Sequence, residues 1–314
     1  MESICETHIR CRLCRASTVY VLARLPFLTE TLILYECATC AALFHMQDHL
    51  ATAAYRNDYH AYHPFQWLSP KTTLLAKKTF YFLRKHPHAP SDVFCDVGCG
   101  AGHVLRTARA LGYRVVGYDI PSPAVTAMQA DGLDVLTDTA DLLTQWRGRC
   151  TRVTCWHTLE HVSDPHAFLD MLTELLAPGG WLSLEVPESK LIRARARHQS
   201  VEVLRQLAKM PEHITLCSRG WLAAELEKRG LAVEKVFTPA DGAFYALAHR
   251  AGYWRRKAGT GNRTGNPAPR EMHPAKDSRW SFTMALAGVA ALCLEPLAPV
   301  LAPRSSVQIW ARKA

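Results

Sequence analysis

A run of alternating glycines is the feature that most constrains the fold of this 314-residue chain. It spans Asp96 to Gly102 (DVGCGAG) and lies between an apolar β-type segment at 93–95 and a helical pattern at 104–110. Glycine has no Cβ and tolerates a positive φ, so the backbone at such a turn can approach a ligand closely. The run therefore predicts a ligand-binding turn between a strand and a helix.

Two adenosine-containing ligands, a dinucleotide and S-adenosylmethionine, are candidates for binding at this turn. A dinucleotide-binding turn has the spacing G-x-G-x-x-G, which brings the N-terminus of a helix to the pyrophosphate. Gly98 and Gly100 fit that spacing, but the third position is His103, and Asp96 would repel a diphosphate. S-adenosylmethionine carries an ammonium group and no phosphate, so it favours that carboxylate. Asp119 ends a second predicted strand, where an acid can accept hydrogen bonds from both ribose hydroxyls.

With these residues the chain resembles the class I S-adenosylmethionine-dependent methyltransferases over roughly residues 91–236 and a last strand. Three further pieces carry the resemblance: Gly117–Asp119 (GYD), Leu159–Pro165 (LEHVSDP) and Leu176–Gly180 (LAPGG). The LEHVSDP stretch is similar to the branch that contains ubiquinone-type O-methyltransferases and sugar methyltransferases. The resemblance implies an α/β fold with a Rossmann-like seven-stranded sheet, helices on both faces and S-adenosylmethionine as cofactor.

One edge of this sheet is predicted to bind the cofactor, because ligands of open α/β sheets lie at the carboxyl ends of the strands. The predicted cofactor-binding residues are Asp96, Gly98, Gly100, Gly102, Asp119, Asp138 and His157. Asp138 follows the predicted third strand (133–136) and is placed to meet the adenine amino group, although an ordinary loop acid is equally consistent. The fifth strand is predicted at 181–186, the sixth at 231–237, and the seventh at 306–312 beside the sixth.

Two histidine-containing segments supply the catalytic candidates His213, Glu212 and His161. The run His157 to His161 matches the H-x-x-E-H pattern of a zinc protease family, but that pattern needs a long helix and these residues directly follow a strand. By default His161 holds its loop through hydrogen bonds. Acids around this segment can hold a divalent metal in ubiquinone-type relatives, and whether Glu160 does so is left open.

The pair Glu212-His213 resembles a pair in the active site of sugar methyltransferases, whose histidine is a candidate base. A histidine titrates near neutral pH and can take a proton from a hydroxyl or an activated carbon acid. The alternative is that His213 only fixes the loop before a helix that starts at Ser218. Methyl transfer is an in-line displacement, so much of the rate can also come from positioning the acceptor.

A basic insert precedes this pair, at the place where an acceptor would enter. Its cations are Lys190, Arg193, Arg195, Arg197, His198 and Arg205. They do not form one helical face and are typical of a solvated loop or of the flank of a helix. Together with the formal charge of +9, they favour a small, anionic acceptor or glycan. Nucleic acid is not expected, because base N-methyltransferases carry Asn/Asp-Pro-Pro-aromatic where this chain reads His-Thr-Leu-Glu.

Two C-x-x-C pairs indicate a zinc site near the N-terminus. Cys11, Cys14, Cys37 and Cys40 leave 22 residues between the pairs, which suits four thiolates around one structural, tetrahedral zinc ion in a small zinc ribbon. The alternative is reduced cysteines packed in a core. Some sugar methyltransferases carry a module of this kind. The chain has eleven cysteines, several of them in close pairs, and it begins with no basic or apolar run. We therefore expect a reducing, cytoplasmic compartment.

The sequence predicts five regions: a zinc ribbon (1–45), an aromatic helical cap (46–90), a core (91–250), a flexible basic linker (251–280) and an apolar hairpin with the last strand (281–314). The cap is interpreted either as rings packed on the core or as a lid over cofactor and acceptor.

Residues 281–303 are apolar but broken by prolines, and the stretch before Glu295 is shorter than the about 20 residues of a spanning helix. They predict a packed or interface-lying hairpin, with peripheral membrane contact as one option.

The whole sequence predicts a zinc-containing, S-adenosylmethionine-dependent methyltransferase that acts on a small, glycosyl or phosphorylated acceptor, which could be lipid-linked. Two alternatives remain. One is a catalytically inactive methyltransferase fold that serves as a binding module, and the other is an RNA methyltransferase. The location expected for the enzyme is the cytoplasm, with or without membrane association.

Overall fold

The computed structural model describes residues 9–27, 29–52, 70–84, 89, 91–196, 200–239 and 306–314. Most of the predicted cap, the basic linker and the apolar hairpin lie outside these residues, as do Arg197 and His198. The strands are β1 Val19–Phe27, β2 Glu30–Cys37, β3 Leu43–Phe44, β4 Val93–Val97, β5 Arg114–Tyr118, β6 Val135–Leu136, β7 Cys150–Trp156, β8 Leu176–Pro187, β9 Thr215–Leu216, β10 Leu231–Phe237 and β11 Ser306–Lys313. The α-helices are α1 Pro70–Leu83, α2 His103–Ala110, α3 Pro123–Ala130, α4 Thr139–Trp146, α5 Pro165–Leu175, α6 Ser189–Ala196, α7 Val201–Ala208 and α8 Arg219–Lys228.

A seven-stranded sheet in the order β10-β11-β8-β7-β4-β5-β6 forms the centre of the fold. The strands from β8 to β6 are parallel, and β11 runs antiparallel between β8 and β10. Every residue of β4 is buried, as expected for a strand whose faces are both covered by helices. The predicted α/β sheet is confirmed, and so is the last strand beside the sixth.

Local sequence signals explain where several helices begin. Ser122-Pro123 is typical of an N-cap followed by the first helical residue, so the sequence predicts a helix start here. In the structure Ser122 is the N-cap of α3, and its side chain accepts a hydrogen bond from the Val125 amide. Ser218 caps α8 in the same way.

The sequence predicts the fifth strand only from 181, because Pro178-Gly179-Gly180 is turn-like. In the structure β8 already starts at Leu176, whose partner in β7 is Cys150.

A second sheet joins the cysteine-rich segment to the core, in the order β1-β2-β3-β9. β1 and β2 form an antiparallel ribbon, and β3 pairs with both β2 and β9. This second sheet, with residues 9–44 that lead into it, is called the ribbon below. β9 follows the Glu212-His213 pair, so the ribbon and the predicted catalytic loop share one sheet.

The chain divides into two compact units. The first contains both sheets and comprises Met1–Pro64, His86–Thr238 and Ser305–Ala314. The second comprises Phe65–Lys85 and Pro239–Arg304, and its described helix is α1. No helix in the described part of the chain combines the length and the apolar character of a membrane span.

Candidate functional site

The glycine run forms a tight turn from β4 into α2. Gly98, Gly100 and Gly102 have φ values of 79°, 55° and 75°, in the left-handed region that favours glycine. The Gly98 amide donates a hydrogen bond to the Tyr118 carbonyl at 2.7 Å. A Cβ at Gly98 would overlap the side chain of Thr158, and one at Gly102 would lie 2.5 Å from Met128 Sδ. The turn is therefore packed so closely that it needs glycine at these positions.

Asp119 lies directly against this turn. Its Oδ2 accepts a hydrogen bond from the Gly100 amide at 2.6 Å, and its Oδ1 accepts one from the Ile120 amide at 2.8 Å. The side chain is buried at the tip of β5. The predicted neighbours, the glycine turn and the acid of the second strand, are therefore in direct contact.

Asp96 is a buried acid at the same edge. Thr154 Oγ1 donates a hydrogen bond to its Oδ1 at 2.7 Å. Burial raises the pKa of Asp96 to about 7, assisted by the nearby Asp119 and opposed by the bond from Thr154. Such a carboxyl group loses its proton readily when a cation comes near.

Asp138 has a structural role that accounts for its position. It is the N-cap of α4, and its Oδ1 accepts hydrogen bonds from the amides of Ala140 and Asp141 at 2.8 and 3.0 Å. The predicted contact with adenine stays a prediction.

His157 is held between two buried acids at the end of β7. Its Nε2 lies 3.0 Å from Glu185 Oε1, and its Nδ1 lies 3.4 Å from Glu160 Oε1. The imidazole is 46% exposed, whereas the two glutamates are almost fully buried. Although partial desolvation opposes it, these two carboxylates raise the pKa of His157 to about 9. His157 is therefore a cation at neutral pH, and it has a positive φ of 57°.

Glu185 was not among the residues predicted from the sequence. The sequence feature that could have identified it is a single charged residue in the otherwise uncharged strand segment Trp181–Pro187 (WLSLEVP). A charge that is 0% exposed requires a partner, and His157 is that partner.

The predicted catalytic histidines come together. The rings of His161 and His213 meet edge to face, with centroids 4.9 Å apart. His161 Nδ1 lies 2.9 Å from the Glu212 carbonyl, which only accepts, so this nitrogen carries the proton. In the described hydrogen bond, Glu212 thus contacts the two histidines through its backbone carbonyl.

His213 is buried and neutral. Burial lowers its pKa to about 3, and within the described residues its Nδ1 has no hydrogen-bond partner. A base this weak needs a partner for the imidazolium that it forms. Glu160 Oε1 lies 3.9 Å from His213 Nε2, and the surrounding histidines hold the pKa of Glu160 at about 2 against the effect of burial. Glu160 is therefore an anion placed to stabilise a protonated His213.

Ligand atoms of Glu160, His161 and His213 all lie within 4.8 Å of one another. One carboxylate and two imidazoles are donors that suit a divalent transition metal. The Nδ1 bond of His161 to a carbonyl is also the arrangement that commonly orients a metal-bound imidazole. These three residues could hold a cation.

The four predicted cysteines form a second cluster, in the ribbon. Their Sγ atoms all lie within 4.8 Å of one another, with Cys11 and Cys14 each 3.5 Å from a sulfur of the second pair. None of the described cysteines forms a disulfide. Sulfurs around tetrahedral zinc, at Zn–S distances of about 2.3 Å, are separated by roughly 3.8 Å. The donor type, number and spacing therefore fit a closed zinc site.

Two cations of the basic insert already have partners. The Arg193 guanidinium donates to Glu36 at 2.8 and 3.0 Å, and Arg205 donates to Glu202 at 2.6 and 2.9 Å. Their charges are partly neutralised, as is the charge of His157 between its two glutamates.

Comparison with known proteins gives consistent matches. A family model described as a methyltransferase domain matches residues 66–236, a range that begins after the cysteine cluster. The ubiquinone biosynthesis O-methyltransferase of Chromobacterium violaceum is 31% identical over 108 residues, which are 32% of this chain and 47% of that protein. Thus the chain spans less than half the length of this curated relative.

A longer match is to the ubiquinone biosynthesis O-methyltransferase of Xanthomonas axonopodis pv. citri, 30% identical over 178 residues, which are 54% of this chain and 70% of that protein. Among solved structures, a putative sarcosine dimethylglycine methyltransferase from Galdieria sulphuraria aligns with a TM-score of 0.50 at 11% identity, over 85% of this chain and 98% of that one. At this identity the structural likeness shows the fold alone.

Proposed function

The chain belongs to the methyltransferase-domain family of class I, S-adenosylmethionine-dependent enzymes, and we propose that it transfers a methyl group to a small anionic acceptor of glycosyl or phosphorylated type. The observation that carries the proposal is the contact between the glycine turn and Asp119 at an edge that also holds Asp96 and His157. Cofactor-side and acceptor-side groups thus converge at the carboxyl ends of adjacent strands.

On the cofactor side, each residue has a separate task. When bound, S-adenosylmethionine would supply an electrophilic methyl group on its sulfonium, and in-line attack of the acceptor on the methyl carbon would release S-adenosylhomocysteine. The Asp96 carboxylate suits the ammonium group, and Asp119 suits the ribose hydroxyls. Gly98 has no side chain, which lets the backbone of the turn pack directly against Thr158.

On the acceptor side, the formal charge of +9 and the basic insert that follows β8 support an anionic acceptor. The imidazolium of His157 is half-exposed and is held between the carboxylates of Glu160 and Glu185, which balance its charge. His213 is neutral and can accept the proton of the attacking group, with Glu160 beside it to stabilise the product cation.

The test has two stages. We expect calorimetry to show S-adenosylmethionine binding, and radiolabelled methyl transfer to appear with a member of a panel of nucleotide sugars, sugar phosphates, lipid-linked glycans and ubiquinone precursors. Absence of binding at millimolar concentration contradicts the cofactor assignment. Binding without transfer to any acceptor favours the inactive binding module. Transfer only to RNA contradicts a small acceptor, and transfer only to a neutral compound contradicts an anionic one.

The four ribbon cysteines are proposed to hold a structural zinc ion. The spacing of the four sulfurs supports this assignment. Four thiolates complete the tetrahedron and leave no position for a substrate, so the metal has a structural role. Elemental analysis should find one zinc per chain, and Cys37→Ser should lower that content, whereas the matched exchange Cys150→Ser in the core should not. Zinc-free protein with unchanged thermal stability would contradict the assignment.

A further inference from the structure

The loop that carries the candidate base is built partly from the ribbon. β3 pairs with β9, with Leu43 opposite Leu216 and Phe44 opposite Thr215. Thr215 comes only two residues after His213. The position of His213 therefore depends on a segment more than 160 residues earlier in the chain.

His45, the residue directly after β3, contacts both ends of this loop. Its amide donates a hydrogen bond to the Ile214 carbonyl at 3.2 Å, and its ring Nε2 lies 3.0 Å from the Pro211 carbonyl. The second ring nitrogen, Nδ1, accepts a hydrogen bond from the Gln47 amide at 3.1 Å, so Nδ1 carries no proton and the tautomer of His45 is fixed. The proton is therefore on Nε2, which donates to Pro211. One fully buried residue thus brackets Glu212 and His213.

The opposite face of the loop is held by the core. His161 Nδ1 donates to the Glu212 carbonyl at 2.9 Å, and the Ile214 amide donates to the Glu160 carbonyl at 2.7 Å. The His213 amide donates to the Lys209 carbonyl at 3.0 Å. The bonds from His45, together with the pairing of β3 and β9, hold the face of the loop that these core bonds leave free.

His45 is itself anchored to the first cysteine pair. Arg12, which lies between Cys11 and Cys14, donates from Nε to the His45 carbonyl at 2.9 Å. The same guanidinium donates to the Ser163 carbonyl at 3.0 Å, in the loop that follows His161. Arg12 therefore ties the two loops of the site together through the ribbon.

We propose that His45 is a positioning residue for methyl transfer, which holds the Pro211–Ile214 loop so that His213 faces Glu160 and the acceptor. The inference rests on the proposed function of His213 as the base. A displacement of a reacting group by about 1 Å can cost roughly a hundredfold in rate. Of the two bonds from His45, the amide bond to Ile214 is kept by any residue at this position, whereas the Nε2 bond to Pro211 depends on the side chain.

Three substitutions at one position test this role. His45→Gln keeps a donor near the Nε2 position, His45→Asn is polar but too short to reach Pro211, and His45→Leu is apolar. With the acceptor found in the panel, we expect kcat to fall roughly tenfold to a hundredfold in the Asn and Leu variants and to recover largely in the Gln variant. The affinity for S-adenosylmethionine in calorimetry should stay within about twofold of the wild type, a difference of less than half a kcal/mol. The matched control is His49→Leu, a largely exposed histidine four residues later, which should change neither value.

Two further measurements separate positioning from general destabilisation. In a His213→Ala background, His45→Leu should lower kcat by less than about twofold, because residues that act through one another are not additive. Amide hydrogen exchange across 211–216 should accelerate in the Asn and Leu variants and stay slow in the Gln and His49→Leu variants. Unchanged exchange, or a fully additive loss of kcat, overturns the proposal. If the wild type methylates no acceptor, the proposed function fails, and the exchange measurement alone decides whether His45 holds the loop.

Discussion

At the scale of single residues, the two sides of the site differ in charge. Asp96 has a raised pKa on the cofactor side, whereas the Glu160 carboxylate stays ionised among histidines on the acceptor side. Burial acts on both acids in the same direction, and the difference comes from the cations near Glu160. The free protein therefore has an acid near Gly98 whose ionisation is favoured when a cation binds beside it.

This acid predicts a pH-dependent affinity for S-adenosylmethionine. Below pH 7 the Asp96 carboxyl is largely protonated in the free protein, and it must release that proton to pair with an ammonium group. The dissociation constant should therefore fall as the pH rises from 6 to 8, with proton release that calorimetry detects in buffers of different ionisation enthalpy. Asp96→Asn should bind more weakly and without this pH dependence. An unchanged slope in Asp96→Asn would assign the dependence to another group.

From the raised pKa of His157 we expect the folded state to lose stability in mild base. Its pKa is raised from the ordinary value of 6.5 to about 9, so the folded state keeps a proton in this range that the unfolded state releases. This contribution is complete below pH 6.5 and is lost as the pH rises through 9. Urea unfolding should show the decline in wild type and a smaller one in Glu185→Gln, which lacks the nearer carboxylate. Glu234→Gln, at an exposed position of β10, is the matched control and should keep the wild-type decline.

At the scale of elements, the sequence predicted what is locally encoded. The glycine turn, the Ser122 cap and the strands of the large sheet follow from residue periodicity and from turn chemistry, and these predictions agree with the structure. β9 has only two residues, and its strand conformation comes from pairing with β3. Pairing across such a distance leaves no periodic signal, so neither β9 nor the role of His45 was predictable.

The glycine turn predicts a graded effect of alanine substitution. Gly132→Ala adds a methyl group at a φ of 72° with open space around it, so its cost is the backbone strain of about 1–2 kcal/mol. Gly98→Ala adds similar strain and an overlap with Thr158. We expect it to lower the free energy of unfolding further and to weaken S-adenosylmethionine binding at least about tenfold. Thr158→Ala should restore part of the stability, and equal effects of the two alanine substitutions would contradict this packing.

At the scale of the whole molecule, the cysteine cluster is bonded to helices of the core. The Ser218 hydroxyl, which caps α8, donates to the Cys40 carbonyl at 2.8 Å. His166 Nε2, in α5, lies 2.7 Å from the Leu13 carbonyl. Each cysteine pair is thus bonded through its own backbone to a helix of the core.

Removal of the proposed zinc should therefore disturb one side of the site more than the other. Chelation should lower the melting temperature by at least about 5 °C and accelerate amide exchange in 211–218. Affinity for S-adenosylmethionine should change by less than about threefold, because the described contacts of the glycine turn come from Tyr118, Asp119, Met128 and Thr158. Equal loss of cofactor binding and of loop protection would show that the ribbon supports the whole core.

The central place of β11 has a consequence for how the chain folds during synthesis. β8 and β10 leave the ribosome early, yet both pair with β11, which follows β10 only after residues 238–305. Until residues 306–313 emerge, β8 and β10 have open edges, which in any nascent chain invite pairing with another strand. A ribosome-bound chain halted near residue 290, where β10 has left the exit tunnel and β11 has not yet been made, should therefore recruit chaperones. Release from them should coincide with the appearance of β11.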